Sequence, residues 1–184
     1  LGMDSFVFLC IPLFIFSGEI MKRSGMMMDL VRFAQIVVGR YRGGMAYVNV
    51  LASMLFGGVT GSGLADVSAL GPIEIDAMKK DGYKPAFAAA VTATSAIQGP
   101  IIPPSIPMVI FASLTNASIG ALFLAGATPG LLIGLGQMLV IFILGKKRNF
   151  PKHDASYRIK EILVATRSAI CALLMPIIIL GGIL

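Results

Sequence analysis

Residues 99–108 read GPIIPPSIPM, and this stretch decides the fold. Between positions 100 and 107, four residues are proline. A proline inside a helix removes the hydrogen bond to the carbonyl four residues earlier and clashes with that turn. The largely apolar segment 85–113, which contains this stretch, is therefore predicted to be a broken helix.

A second interrupted segment lies upstream, at residues 44–70, and reads GMAYVNVLASMLFGGVTGSGLADVSAL. It is apolar except around 57–63, where glycines cluster, and at Asp66. Irregular backbone at membrane depth is tolerated only where it is buried in protein or lines a cavity. We therefore predict two half-helices that meet at a polar tip, in a re-entrant hairpin.

The composition indicates an all-α membrane protein, a polytopic helical bundle in a lipid bilayer. Of the 184 residues, 57% are hydrophobic and only 13% are charged, whereas soluble domains carry about 25% charged residues. The net charge of +6 is spread between apolar segments. Because clusters of aromatic and basic residues that grip nucleic acid are missing from the sequence, we expect no nucleic-acid partner.

Residues 1–43 are predicted to hold a first spanning helix, kinked at Pro12, and an amphipathic surface arm. Ser24 is expected to cap the arm's helix and Gly39 to end it. The helix either lies on the membrane surface or packs on the protein as a cytoplasmic helix. Its apolar face comprises Met27, Leu30, Val31, Ala34, Val37 and Val38.

Three further segments follow along the chain. Residues 44–84 hold the hairpin and a polar cytoplasmic loop, with helix potential up to Lys80. Residues 85–145 hold the broken helix and a spanning helix, and residues 146–184 hold a basic cytoplasmic loop and the start of a truncated helix. Glycines four residues apart give the spanning helix a face for close packing, namely Gly126, Gly130 and Gly134.

The distribution of basic residues supports the hairpin. Lys and Arg collect in segments 22–43 and 146–161, and such loops prefer the cytoplasmic side. If 44–70 crossed the membrane fully, the two basic segments would lie on opposite sides. If it turns back, both are cytoplasmic, and the uncharged loop 114–118 lies outside.

The prolines predict carbonyl oxygens without partners. Pro103, Pro104 and Pro107 have no N–H to offer, and in a continuous helix they would free the carbonyls of Gly99, Pro100 and Pro103. Such oxygens cost several kcal/mol when left bare in a dry interior. A dehydrated hard cation such as sodium would satisfy them, since hard cations prefer oxygen ligands.

Polar side chains near both breaks could complete a site. The hydroxyls of Thr60, Ser62 and Ser105 are candidate cation ligands. The second half-helix starts near Ser62, and a helix N-terminus attracts anions. Asp66 is the acid clearly at membrane depth, and it either serves an ion or only caps and orders the tip.

The sequence gives no support for an enzyme. The stretch GGVTGSG is not followed by the Gly-Lys-Ser/Thr of a phosphate-binding loop. Ser62 is not in a nucleophile elbow, because position 60 is Thr. The single histidine, His153, lies in the basic loop, and Cys10 and Cys171 lie in apolar runs, where we expect small buried apolar side chains.

The two broken segments resemble the signature segments of the large membrane subunit of tripartite ATP-independent periplasmic (TRAP) transporters. The resemblance is carried by TGSGLAD (60–66) and GPIIPPSIPM (99–108). It extends over nearly the whole chain through PLFIFSGEIM (12–21), RGGMAYVNVLASMLFGG (42–58), KKDGYKPAFAAAVTA (79–93) and SIGALFLAGATPGLLIG (118–134).

The resemblance implies a sodium-coupled, elevator-type importer of organic acids, such as C4-dicarboxylates or sialic acids, in the bacterial inner membrane. The chain would then be an internal fragment that supplies one of two inverted repeats. Implied partners are a small membrane subunit of the Q type and a periplasmic substrate-binding protein.

The implied sodium ligands are Ser62 and the carbonyls of Gly99, Ile102 and Pro104, with substrate near Gly61, Ser62, Gly63 and Pro100. The tip reads Gly-Ser-Gly, where many relatives have Ser-Gly-Ser, and this leaves the hydroxyl ligands open. Three other hypotheses stand beside this one. They are a carboxylate carrier without a binding protein, a static channel and a membrane scaffold.

Overall fold

A computed structural model describes residues 6–148, 150–151 and 159–183, and every element in these ranges is helical. The prediction of an all-α chain is therefore confirmed for the described part. The predictions for the side chains of Cys10, Cys171 and His153 lie outside it. The helices are α1 (Phe6–Arg23), α2 (Met26–Val38), α3 (Gly44–Thr60), α4 (Gly63–Ala69), α5 (Gly71–Lys80), α6 (Pro85–Ser95), α7 (Ile106–Thr115), α8 (Ile119–Arg148) and α9 (Ile159–Ile183), with a 3₁₀ turn at Ala96–Gln98.

The apolar face of α2 packs against protein. Helices α3 and α9 cover it, and Phe56 of α3 lies in the same cluster. Val37, which was placed on this face, is exposed. The prediction that Ser24 caps α2 is wrong, because its hydroxyl donates to the Met21 carbonyl and Gly25 precedes the helix instead. Gly39 ends α2 as predicted, and its N–H donates to the Gln35 carbonyl.

The chain reverses direction between α3 and α5. Asn49, near the start of α3, lies 3.9 Å from the sulfur of Met78, near the end of α5. The turn between these two residues is the two-residue link Gly61–Ser62 and the start of α4. The arms α3 and α4–α5 therefore run antiparallel, as expected for a helical hairpin. The segment 71–84 is helical up to Lys80 and turns at Gly82, as predicted.

The segment 85–113 is broken, as the prolines predict. Helix α6 ends at Ser95, the 3₁₀ turn ends at Gln98, and the backbone from 99 to 105 is irregular before α7 begins. We call residues 99–105 the break. Helix α8 runs beside it and uses its glycine face there. A side chain at Gly130 would lie 2.6 Å from Ile102, and one at Gly134 would lie 2.9 Å from the Gln98 amide oxygen.

The end of the first basic segment contacts the described start of the second. The Gly43 N–H, in the turn before α3, donates to the carbonyl of Pro151, beyond the end of α8, at 3.0 Å. A side chain at Gly145 would contact Phe150 and the Arg42 carbonyl. Arg42 and Gly43 therefore lie beside the last residues of α8 and the two described residues that follow it.

One described helix, α8, is long and apolar enough to span a bilayer. Helix α9 gives a second if its two parts, Ile162–Ile170 and Ala172–Ile179, which are bent by 44°, are taken as one span. Helices α3 and α7 are apolar but shorter, as expected for a half-helix that ends at the tip of the hairpin and one that starts after the break.

Candidate functional site

The tip of the hairpin packs directly on the break. The Gly61 carbonyl accepts a hydrogen bond from the Ile106 N–H at 3.4 Å. Gly61 has a left-handed φ of 61°, and a Cβ there would lie 2.6 Å from the Pro104 oxygen. Only glycine therefore allows both this turn and this approach.

Three more glycines bring the two backbones together. A Cβ on Gly99 would lie 2.8 Å from the Gly63 nitrogen, and one on Gly57 would lie 2.8 Å from the Gly99 Cα. A Cβ on Gly63 would meet the Ala96 carbonyl. We call this contact between residues 57–63 and 96–106 the junction. It brings together the sequence-predicted residues at the tip and in the break.

Two serines cap the helices that leave the junction. The Ser62 hydroxyl accepts from the Ala65 N–H, and the Ser105 hydroxyl accepts from the Met108 N–H, both at 3.3 Å. Ser105 is fully buried and also donates to the Pro100 carbonyl at 2.6 Å. The prediction of a free Pro100 carbonyl is therefore wrong, because a nearby hydroxyl replaces the missing N–H.

Pro107 does not free the Pro103 carbonyl by breaking a helical hydrogen bond. Helix α7 begins at Ile106, so Pro107 lies in its first turn, where a missing N–H breaks no helical bond. Pro103 lies in the irregular backbone before this helix, so its carbonyl was never a helical acceptor.

The three carbonyls of the implied sodium site lie in the break. No hydrogen bond from a described residue reaches the carbonyl of Gly99, Ile102 or Pro104. The Pro104 oxygen faces the tip at Gly61. Carbonyl oxygens without a hydrogen-bond donor are ligands of the kind that hard cations prefer.

Thr60 and Asp66 lie on either side of the tip. The Thr60 hydroxyl donates to the Phe56 carbonyl within its own helix, at 3.2 Å. Asp66 is 2% exposed and lies beside Ser53 of α3. Neither of its carboxylate oxygens has a hydrogen-bond partner of regular geometry among the described residues. A buried, unsatisfied carboxylate this close to the junction requires a proton or a cation for charge balance.

A cavity of about 370 Å³ opens beside the tip, between α1, the hairpin and α7. Its wall is mostly apolar, and its polar lining residues are Glu19, Thr60, Ser62 and Ser68. The volume falls within the range of small-molecule sites, roughly 300–1,000 Å³. Of the predicted substrate residues, Ser62 lines this cavity, whereas Gly61, Gly63 and Pro100 lie in the junction behind it.

Buried hydrogen bonds join the hairpin to α6. Asn49 donates to the Thr92 hydroxyl and accepts from the Ser95 hydroxyl, both at 2.7 Å, and Ser53 donates to Ser95. Asn49 therefore links α3 to α6 through its side chain. Gln98 donates to Gln137 of α8 at 2.7 Å. The partners Ser53, Thr92 and Ser95 were missed, because short polar residues in a small-residue helix do not stand out.

Glu74 was also missed as a buried group. It lies on α5, in the polar segment 71–84 and outside the apolar segments, yet it is 1% exposed. Neither carboxylate oxygen has a partner among the described residues. Burial, with a smaller contribution from the charge of Asp66, raises the pKa of Glu74 to about 9. The carboxyl is therefore neutral at physiological pH.

The sequence matches one family over its whole length. The model of the family described as "Tripartite ATP-independent periplasmic transporter, DctM component" matches residues 1–184.

Individual relatives agree with this match. The sialic acid TRAP transporter large permease protein of Vibrio cholerae is 42% identical over 99% of this chain, and the C4-dicarboxylate TRAP transporter large permease protein of Pseudomonas aeruginosa is 42% identical over 98%. The 2,3-diketo-L-gulonate TRAP transporter large permease protein of Escherichia coli is 38% identical over 98%. In each case the chain spans 42% of the relative's length.

Proposed function

Because the chain belongs to the family of DctM components of tripartite ATP-independent periplasmic transporters, we propose that it forms half of the site of a secondary transporter for organic acids. The relatives are permeases and not enzymes. Sialic acid, C4-dicarboxylates and diketogulonate, named for the relatives, are all organic acids. An organic acid is therefore the substrate class that we assign to the intact protein.

The observation that carries this proposal is the junction. Two interrupted segments, far apart in sequence, meet through backbone with no room for a side chain at Gly57, Gly61, Gly63 or Gly99. Broken helices that meet in this way hold substrate and coupling ion in many secondary transporters. A scaffold protein has no need for two helix breaks that fit each other so closely.

A re-entrant arrangement of the hairpin is supported by the neighbouring helix. Helix α8 contacts the turn before α3 near Ile141 and Gly145, and contacts the break near Gly126 to Gly134. The hairpin therefore starts at the basic end of α8. Its tip meets a break that lies roughly 10 Å or more along the axis from the other end of α8, at Ile119. A hairpin that enters from the cytoplasmic side and turns at membrane depth has this geometry.

Sodium fits the junction by its chemistry. The carbonyls of Gly99, Ile102 and Pro104 and the hydroxyl of Ser62 would hold the ion, which supplies positive charge beside an anionic substrate. The chain's own residues shape the site. The Ser62 hydroxyl keeps α4 capped at the cavity wall, and Ser105 holds the Pro100 carbonyl in place.

The remaining parts of the proposal follow from the family. The intact protein would be a multi-pass protein of the bacterial inner membrane and would move its junction across the bilayer as an elevator. It would work with a small membrane subunit of the Q type and with a periplasmic binding protein that delivers the acid. A stand-alone sodium-coupled carrier is the second candidate, since the junction itself needs no binding protein.

Uptake by proteoliposomes tests the proposal. The intact protein is reconstituted with its small subunit, and uptake of labelled sialic acid and succinate is measured with and without sodium and binding protein. We expect saturable uptake that needs both and is lost in Gly99→Leu. Uptake that needs sodium alone would favour the stand-alone carrier. A non-saturating leak would favour a channel and contradict the proposal, as would the absence of any sodium dependence.

A further inference from the structure

One polar side chain of α8 binds the end of α6. Gln137 is the only residue between Thr128 and Lys146 whose side chain carries nitrogen or oxygen. Its amide nitrogen donates to the Thr94 carbonyl at 2.8 Å, and its amide oxygen accepts from the Gln98 amide nitrogen at 2.7 Å. Gln137 therefore holds both α6 and the 3₁₀ turn that follows it.

Gln98 connects Gln137 to the break. It is fully buried, and its backbone carbonyl accepts from the N–H groups of Ile101 and Ile102, at 3.0 and 2.8 Å. Gly99 is the next residue in the chain. The position of Gln98 therefore determines where the backbone of Gly99 and Ile102 lies, and the carbonyls of these two residues are among the proposed sodium ligands.

The packing of α8 keeps Gln137 at a fixed distance from the break. A Cβ at Gly130 would lie 2.6 Å from the Ile102 side chain, and a Cβ at Gly134 would lie 2.9 Å from the Gln98 amide oxygen. Positions 130, 134 and 137 share one face of a continuous helix. Because this face has no room for side chains at its glycines, α8 cannot slide along the break without losing the contact.

The contribution of Gln137 to stability is expected to be small. Hydrogen bonds between membrane helices stabilise little on average, and an apolar side chain would pack in this apolar helix without desolvation of an amide. The amide adds direction instead, since it sets one donor and one acceptor at fixed points of the α6 end. Residues that orient the ligands of a metal ion without touching it typically change its affinity roughly 10- to 100-fold when they are replaced.

We propose that Gln137 is a positioning residue for the cation site at the junction. It does not touch the ion. It holds Gln98, and through Gln98 it keeps the carbonyls of Gly99 and Ile102 at the spacing that the ion requires. The inference rests on the proposed function, because it takes sodium as the ion that the break binds.

The sodium dependence of the melting temperature tests this role. The intact protein in detergent is titrated with sodium chloride, while potassium chloride keeps the ionic strength constant, and the midpoint of the rise in melting temperature is measured. Gln137→Met conserves the length and approximate volume of the side chain and makes neither hydrogen bond. We expect its midpoint to lie at about tenfold higher sodium than the parent's, with a similar melting temperature in potassium chloride alone.

Gln35→Met is the matched control. It makes the same chemical change on α2, where the Gln35 amide donates to the Met45 sulfur at 3.9 Å, outside the junction. This variant should keep the parent's sodium midpoint. If Gln35→Met shifted the midpoint as much as Gln137→Met, the effect would not be specific to the break, and the inference would be overturned.

A double variant tests whether Gln137 acts through Gln98. Gln98→Met should raise the sodium midpoint as well, and the two substitutions together should shift it by less than the product of the single shifts, because they remove the same bond. Shifts that multiply would show two independent effects and would contradict the proposed connection. Uptake by Gln137→Met should also return towards the parent's rate at saturating sodium, which the loss of a purely structural contact would not produce.

The remaining outcomes separate this inference from the proposed function. If the parent melts alike in both salts, the proposed sodium site fails, and this inference fails with it. If the parent responds to sodium but Gln137→Met keeps the parent's midpoint, this inference alone is overturned. Loss of cooperative unfolding in both Gln137→Met and Gln137→Leu would make Gln137 a residue that the fold itself requires, and would overturn the inference too.

Discussion

The backbone of Gly99 occupies the space that a side chain at Gly57 would need. A Cβ at position 57 would lie 2.8 Å from the Gly99 Cα and 3.1 Å from the Gly99 nitrogen. Backbone atoms cannot move aside as the end of a flexible side chain can, so the hairpin and the break must separate to admit even a methyl group. This contact places the first arm of the hairpin against the break.

Gly57→Ala should therefore destabilise the protein despite the better helix propensity of alanine. We expect a loss of about 1–3 kcal/mol in the free energy of unfolding, as for other overpacked positions, and a larger relative loss of uptake. Gly136→Ala is the matched control, since a Cβ there meets nothing within 4 Å. It should be neutral or stabilise by up to about 1 kcal/mol. Thermal denaturation in detergent measures both, and an unaffected Gly57→Ala variant would contradict the close contact.

Replacement of the two capping serines by alanine should lower the free energy of unfolding by different amounts. Ser105→Ala removes the cap of α7 and leaves the Pro100 carbonyl without its donor. We expect a loss of about 2–4 kcal/mol from these effects together. Ser62→Ala removes one cap and should cost about 1 kcal/mol, while uptake falls strongly. Denaturation midpoints together with uptake rates test this, and the reverse order of stability losses would contradict the hydrogen-bond assignment.

Local signals in the sequence predicted the elements, while the contacts between elements needed the structure. The prolines alone predict the break. The glycines predict the hairpin when they are combined with the preference of basic loops for the cytoplasmic side of the membrane. The contact of Gly57 with Gly99 joins residues 42 positions apart in the chain, and no local pattern encodes it. The same holds for the Asn49–Ser95 bond.

Glu74 and Pro100 show where local sequence patterns do not predict the contacts of a residue. Glu74 is followed by Asp76, Lys79 and Lys80, so the sequence favours an exposed segment. In the structure these neighbours stay on the open side of α5, whereas Glu74 turns inward. Pro104 offers no N–H to the Pro100 carbonyl, as the sequence predicts, but no local pattern indicates that the Ser105 hydroxyl donates to this carbonyl instead.

Sodium should stabilise the intact protein if the carbonyls of the break hold it. A ligand present at a hundred times its dissociation constant adds about 2.7 kcal/mol to the free energy of unfolding. We expect a higher melting temperature in sodium chloride than in potassium chloride at the same ionic strength, with a smaller difference in Ser62→Ala. This measurement needs no substrate or binding protein. Equal melting temperatures in both salts would contradict a sodium site at the junction.

Glu74 should make stability depend on pH in the direction opposite to most carboxylates. Its pKa is about 9 in the folded protein against an ordinary value of 4.5, so between these values the folded state binds more protons than the unfolded state. The contribution of Glu74 to the free energy of unfolding is then highest below its ordinary pKa. This contribution falls as the pH rises towards 9, by an amount on the order of a few kcal/mol. Asp29 and Arg32 of α2, and Asp76 and Lys80 of α5, line the groove beside Glu74.

Glu74→Gln isolates this effect, because it keeps the shape of the neutral side chain and cannot ionise. Its stability should vary less between pH 5 and 9 than that of the parent and should exceed the parent's near pH 9. Asp76→Asn is the matched control, since Asp76 is exposed and lies two residues away on the same helix; it should keep the parent profile. Denaturation curves across this pH range decide the question, and parallel profiles for the parent and Glu74→Gln would mean that Glu74 does not hold its proton in the folded state.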